Sequence, residues 1–233
     1  MTEIQEKANT IPQELSIAEI RKYTKEAAPL IHCITNPISI HDCANIILAA
    51  GARPIMAEHP AEVAEITAVA SALMLNLGNI TDARIESIQR ALKEANRRKI
   101  PVLLDLVGVT CSSLRREFAR KLLTDGRFAV IKGNISEILA AADLPFHGTG
   151  IDAGSQDAIS QANEASYCTT AKKLAEHLGC TVMATGKLDL IADRNQAFLI
   201  ANGHTALSGI TGTGCMVGAL TAAYLPASVA LAF

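Results

Sequence analysis

The sequence predicts an α/β fold around a mostly parallel sheet, and three observations predict it. After Pro29, short apolar runs alternate with longer amphipathic stretches, the pattern of repeated βαβ units. The amphipathic stretches carry helical period and end signals. Polar residues gather just beyond the apolar runs, at Thr35-Asn36, Met56-Ala57-Glu58, Asn76, Asp105, Lys132-Gly133-Asn134 and Thr185-Gly186. Open α/β sheets bind ligands at the carboxyl ends of their strands, so this placement predicts one shared site.

Residues 1–27 read as a helical lead-in of ordinary polarity. Strands are predicted at Leu30–Ile34, Arg53–Met56, Ala72–Leu75, Pro101–Asp105, Ala129–Ile131, Thr181–Ala184, Asp189–Ala192 and Ala197–Ile200. The clearest helix is Thr81–Lys99, where Ile85, Ile88, Leu92 and Ala95 recur at three- and four-residue steps. Asp82 in its first turn, Arg97, Arg98 and Lys99 in its last, and Pro101 beyond agree on its ends. The stretch from His147 to Asn163 breaks the alternation and predicts an exposed loop leading into a helix. No repeat, low-complexity tract or linker interrupts the chain, which predicts one domain over residues 1–233.

Composition narrows the function classes. With 49% apolar and 19% charged residues, 3% aromatic and no Trp, the chain favours a buried aliphatic sheet. A net charge of −2 gives a phosphate backbone nothing to hold, so nucleic acid is not an expected partner. The six cysteines form no C-x-x-C pair, and the polar N-terminus lacks a secretory signal, so a reducing cytoplasm is the expected location. From Asn195 onward there is no Asp, Glu, Lys or Arg, and the last nineteen residues could span a bilayer by length. Gly218, Thr221 and Pro226, with no basic flank, favour a helix buried against a sheet or a subunit, with no membrane partner.

Thr211–Leu220, T-G-T-G-C-M-V-G-A-L, is the most informative stretch. Two glycines two apart open an apolar helix, gathering free N–H groups and the positive end of the helix dipole into an anion cradle around Cys215. The spacing fits neither a dinucleotide fingerprint nor a P-loop. A similarly spaced run, Gly148, Gly150 and Gly154, is followed by polar residues and reads as a turn. Cys215 reads either as a small buried hydrophobe or as a reactive or proton-accepting thiol; no His is paired with it by sequence. In I-K-G-N-I-S-E-I, Asn134 and Glu137 stand three apart, fit to order the water shell of Mg²⁺ or to form a helix cap. Lys132 is placed to meet a phosphate or solvent. Asp105, ending an apolar strand, requires a partner or a metal.

These pieces together resemble the hydroxyethylthiazole kinase family of ribokinase-like enzymes, from about Pro29 to Leu225. The resemblance rests on P-L-I-H-C-I-T-N at Pro29–Asn36, A-R-P-I-M-A-E-H-P-A-E-V at Ala52–Val63 and L-N-L-G at Leu75–Gly78. It continues through L-L-D-L-V-G-V at Leu103–Val109, V-I-K-G-N-I-S-E-I at Val130–Ile138 and G-H-T-A-L-S-G-I-T-G-T-G-C at Gly203–Cys215. It implies a three-layer α/β/α sandwich, a homotrimer with sites at subunit boundaries, and transfer of the ATP γ-phosphate to 4-methyl-5-(2-hydroxyethyl)thiazole in thiamine salvage. By the same resemblance Met56, Gly212 and Asn36 meet the thiazole, and Lys132, Thr185 and Gly214 meet ATP. Asp105 and Glu137 hold Mg²⁺, mostly through water, and Cys215 lies beside the substrate hydroxyl as a weak base. Lys132 stands where the family more often has Arg, and D-L-V-G-V-T-C where D-P-V-G-V-G-A is commoner. The chain also ends soon after the cradle helix, where the family carries a further helical pair, so a truncated layer is expected there. Two alternatives accompany this reading: another ribokinase-like small-alcohol kinase, or an impaired homologue acting as a binding or assembly subunit.

Overall fold

The computed structural model of the chain describes residues 16–148 and 154–231. Residues 1–15 of the lead-in, Gly150 of the glycine run and the last two residues lie outside them. The lead-in enters as helix α1 (Ile17–Ala27), started by a Ser16–Glu19 capping box in which side chain and backbone satisfy each other. Then follow β1 (Leu30–Ile34), α2 (Ile40–Ala49), β2 (Arg53–Ile55), α3 (Val63–Val69), β3 (Ala72–Asn76), α4 (Asp82–Arg98) and β4 (Val102–Asp105). After these come α5 (Ser113–Asp125), β5 (Val130–Asn134), α6 (Ile135–Ala141), α7 (Glu164–Leu178), β6 (Thr181–Thr185), β7 (Asp189–Ala192), β8 (Ala197–Ile200) and α8 (Thr213–Leu231). Single 3₁₀ turns lie at Ser155–Asp157 and Thr205–Gly209.

All eight strands join one sheet in the order β2-β1-β3-β4-β5-β6-β7-β8. β1 to β6 run parallel and β7 and β8 add antiparallel at one edge. The central parallel strands are covered on both faces, so β3 is buried at all five positions and reads as continuous A-L-M-L-N instead of alternating. One face packs under α3 to α7 around Leu73, Leu75, Ile88, Leu104, Ile131 and Val182. The other packs under α2 and α8 around Ile31, Cys33, Ile47, Met74 and Leu103, with α1 against α8. The three-layer expectation therefore holds.

The predicted strands differ from the observed ones mainly at β5, which extends through Asn134. Lys132 and Gly133 look unlike strand residues, yet the Lys132 ammonium is paired inside the site and Gly133 leaves room for Glu137, so the ladder continues. The helix predicted at Thr81–Lys99 is α4, with the Thr81 side chain accepting from the Arg84 N–H and Lys99 closing the last turn at φ 60°. The loop after α6 is not wholly exposed: Asp157 is buried and accepts from the Ser136 hydroxyl and the His147 N–H.

α8 is long and apolar enough to cross a bilayer, but in this fold it lies along β1, β3 and β4. Its sheet-facing side is Cys215, Gly218, Ala219, Ala222, Ala223 and Ala227, small residues that let the backbone come close. A Cβ on Gly218 would lie 2.9 Å from Met74 Cε and 3.5 Å from Asp105 Oδ2. The order of the strands makes β1 and β3 a topological switch point. The chain leaves β1 through α2 on one face and β3 through α4 on the other, opening a crevice at their carboxyl ends.

Candidate active site

Asn36, two residues past β1, and Asn76, the last residue of β3, sit side by side at that crevice. The Asn36 Nδ2 donates to Asn76 Oδ1 at 3.2 Å and to Cys215 Sγ at 3.2 Å. The Asn76 Nδ2 donates to Asp105 Oδ2 at 3.2 Å and to Cys215 Sγ at 3.3 Å. The Lys132 Nζ donates to Asp105 Oδ2 at 3.0 Å. One buried chain of contacts thus joins residues from the loop after β1 and from β3, β4, β5 and α8, with Asp105 fully inaccessible and Lys132 only 4% exposed.

Above this chain sits the start of α8. Gly212 has φ +87°, a conformation that favours glycine, and a Cβ there would lie 2.9 Å from Ser39 Cβ. The Met216 N–H reaches back to the Gly212 carbonyl. The N–H groups ahead of it, of Thr213, Gly214 and Cys215, belong to the unpaired first turn of a helix. A Cβ on Gly214 would stand 3.5 Å from Lys132 Nζ, so the glycine turn and the ammonium face one another directly. An anion placed against this turn would meet helix amides and a lysine together.

Beside this lies Glu137, buried at the third position of α6. Its Oε1 accepts from the Gly108 N–H at 2.7 Å and its Oε2 from the Asn134 N–H at 2.7 Å. Asn134 Oδ1 in turn accepts from the Glu137 N–H, so the pair forms a capping box. The cap reading of Asn134 and Glu137 is therefore realised, and it holds the carboxylate in place. Burial, then the nearby Asp105 charge, push the Glu137 carboxyl up to about 7. Burial would lower the Lys132 ammonium, but Asp105 and Glu137 outweigh it and leave Lys132 raised. Two carboxylates share one ammonium here, and a hydrated divalent cation suits that surplus of negative charge. Among the described residues no group of three or more His, Cys, Asp or Glu forms a ready metal cage. The donor set fits a metal that keeps most of its waters.

The remaining predicted residues fall nearby. Thr185 ends β6 opposite Asn134 and donates its hydroxyl to the Gly133 carbonyl at 3.2 Å. Met56 follows β2 and packs at the rim of the core beneath α2 and α8. Its loop is held by His32, whose Nε2 lies 2.9 Å from the Ala57 carbonyl and whose Nδ1 lies 2.8 Å from Thr67 Oγ1. Of the two readings of Lys132, the solvated one does not hold, because the ammonium is buried and paired with Asp105. Asn36 stands at the crevice, with its amide hydrogens directed to Asn76 and Cys215.

Sequence reasoning noted Asn76 only as a polar residue after a strand. The signal was N-x-G, because Asn76 Oδ1 accepts from the Gly78 N–H at 2.9 Å, a turn that fixes the amide. A separate groove between α5, α6 and α7, lined by Arg116, Arg120 and His177, lies in the helical layer on the other face of the sheet from Cys215. All six cysteines are free.

Comparison with known proteins shows what the chain as a whole is similar to. The profile of the "Hydroxyethylthiazole kinase family" matches residues 21–231. Hydroxyethylthiazole kinase 2 of Clostridium botulinum strain 657 is 49% identical over 207 residues, covering 89% of this chain and 78% of that protein. The solved hydroxyethylthiazole kinase protein from Pyrococcus horikoshii superposes with a TM-score of 0.78 at 32% identity, over 89% of this chain and 75% of that one. A Bacillus subtilis pyridoxal kinase, solved as an ADP complex, superposes at 0.64 over 87% of this chain and 86% of that one, with 17% identity, a likeness of fold.

Proposed function

Because the chain belongs to the hydroxyethylthiazole kinase family, we propose that it transfers the γ-phosphate of ATP to the hydroxyl of 4-methyl-5-(2-hydroxyethyl)thiazole. One observation supports the chemistry above all. The open first turn of α8 faces a buried lysine across Gly214, with Cys215 at the same turn. Phosphoryl transfer asks a protein mainly for positioning and for stabilising charge on the transferred group. The amides of Gly212–Cys215 serve as the hole for that charge, and Lys132 adds a cation within reach of it.

In this reading Cys215 first gives up its own proton to solvent; the substrate oxygen then attacks the γ-phosphorus, the bond to the leaving ADP oxygen breaks, and the Cys215 thiolate receives the hydroxyl proton. A thiolate is a modest base, which a loose transition state tolerates. Met56 offers an apolar wall that suits a small sulfur heterocycle. Gly212 lets the backbone approach it, and Thr185 and Gly214 flank the nucleotide. Mg²⁺, held through water by Asp105 and Glu137, would neutralise phosphate charge when bound. A homotrimer and a cytoplasmic location complete the proposal.

The test is purified protein with ATP, Mg²⁺ and the thiazole alcohol, followed by ADP release. The expected result is ADP formed only when the alcohol is present. No alcohol-dependent ADP at any enzyme concentration would overturn the proposal.

A further inference from the structure

We infer that Asn36 and Asn76 are positioning residues that act on the reaction through the Cys215 sulfur. The orientation of both amides follows from their neighbours. The Gly78 N–H must donate to Asn76, which fixes Oδ1 on that side and turns Nδ2 toward Asp105 and Cys215. The Ser39 N–H and hydroxyl both donate to Asn36 Oδ1, which turns its Nδ2 toward Asn76 and Cys215. All four amide hydrogens are then assigned: one to Asp105, one to Asn76 and two to a single sulfur. Neither amide keeps a hydrogen for a substrate.

The sulfur therefore accepts two N–H bonds from groups that cannot accept a proton in return. Such bonds favour negative charge on Sγ. The only remaining direction in which Sγ can exchange a proton is away from both amides. Asn76 also ties this arrangement to Asp105, so the sulfur and the phosphate side of the site share one rigid amide. Asn36 and Asn76 are 7% and 1% exposed, and Cys215 is 8% exposed, so water competes little for these bonds. This inference rests on the kinase reading for its consequence in turnover, but the geometry can be read at the sulfur without turnover.

The experiment is iodoacetamide labelling of the full chain at neutral pH, with each cysteine followed by peptide mass spectrometry. Asn76→Asp and Asn36→Asp keep the Oδ1 acceptor for Gly78 or Ser39 and replace the donating NH₂ by oxygen. Cys111, which is exposed, calibrates the reagent, and the fully buried Cys33 and Cys43 report any loosening of the fold. The expected result is labelling of Cys215 slowed about tenfold in each variant, with Cys33 and Cys43 still protected. Mere loosening would move the rate the other way. Labelling of Cys215 that is unchanged, or that rises together with Cys33 and Cys43, overturns the inference. So does failure of both variants to fold, which would make the amides supports of the fold alone.

Turnover adds a second readout. In a Cys215→Ala background, Asn36→Asp is expected to lose at least about fivefold less kcat than in the natural chain, because the residue it serves is gone. Equal losses in both backgrounds would overturn the inference. A failure of the kinase reading itself would show separately, as no alcohol-dependent ADP from the unmodified chain.

Discussion

Replacing Glu137 by Gln measures what the site costs the fold. In the folded chain the Glu137 carboxyl titrates at about 7, against 4.5 without the fold, chiefly because it is buried and next to Asp105. Between those values the folded state binds more protons than the unfolded one, so its stability falls as pH rises. The contribution is fully present below about pH 4.5 and is lost by about pH 7 and above. A shift of this size corresponds to about 3 kcal/mol in all, of which roughly 2–3 kcal/mol is lost between pH 5 and pH 8. Glutamine keeps the shape and never ionises. Its NH₂ leaves one of the Gly108 and Asn134 N–H groups without its acceptor, which costs about 1–3 kcal/mol. That cost does not depend on pH, so it cancels when the two proteins are compared at two pH values.

Urea unfolding of both proteins at pH 5 and pH 8, at one fixed protein concentration, reads this difference. The variant is expected to gain roughly 2–3 kcal/mol on the natural chain between the two conditions. A difference that stays constant across the range would refute the reasoning, since Glu137 would then be ionised at both. The gain should come with lost activity, as when a site holds a destabilised charge.

Cys215→Ala is expected to lower kcat about 10–100-fold with little change in KM for the alcohol, and full activity would remove its role as base. Lys132→Met leaves Asp105 buried without its cation and should cost about 3–5 kcal/mol of stability, read as a lower urea midpoint. Gly212→Ala forces a methyl within 2.9 Å of Ser39 at φ +87°, so kcat should fall at least about tenfold, measured by ADP release. An unchanged rate would show that the turn can open without loss.

Much of the fold was legible because its strands are buried aliphatic runs bounded by turn residues. β1, β7 and β8 begin and end where the sequence predicts. β5 runs three residues beyond its predicted end, because a lysine and a glycine look like a strand's end until a buried partner is known. The site was legible residue by residue but not in its connections. That Asp105 needs a partner follows from burial on a strand; that Lys132 is the partner depends on the register of β4 against β5. In the same way Asn36 and Asn76 are forty positions apart and meet only because β1 and β3 are neighbours. Burial of Asp157, which closes the loop after α6, gave no local signal for the same reason.

The small-residue face of α8 has a consequence for how such a site can change. Because the helix lies against β3 and β4 through Gly218 and a line of alanines, it forms one closely packed rod whose tip carries both Gly212 and Cys215. A methyl added at Gly218 would lie 2.9 Å from Met74 Cε, so the packing has to give there, three residues from Cys215 and six from Gly212. Adaptation to a new alcohol is therefore expected to avoid this rod. It would fall on the loops after β1 and β2, where Ile38 is exposed and Met56 sits at the rim, and where one side chain can be exchanged without retuning the rest.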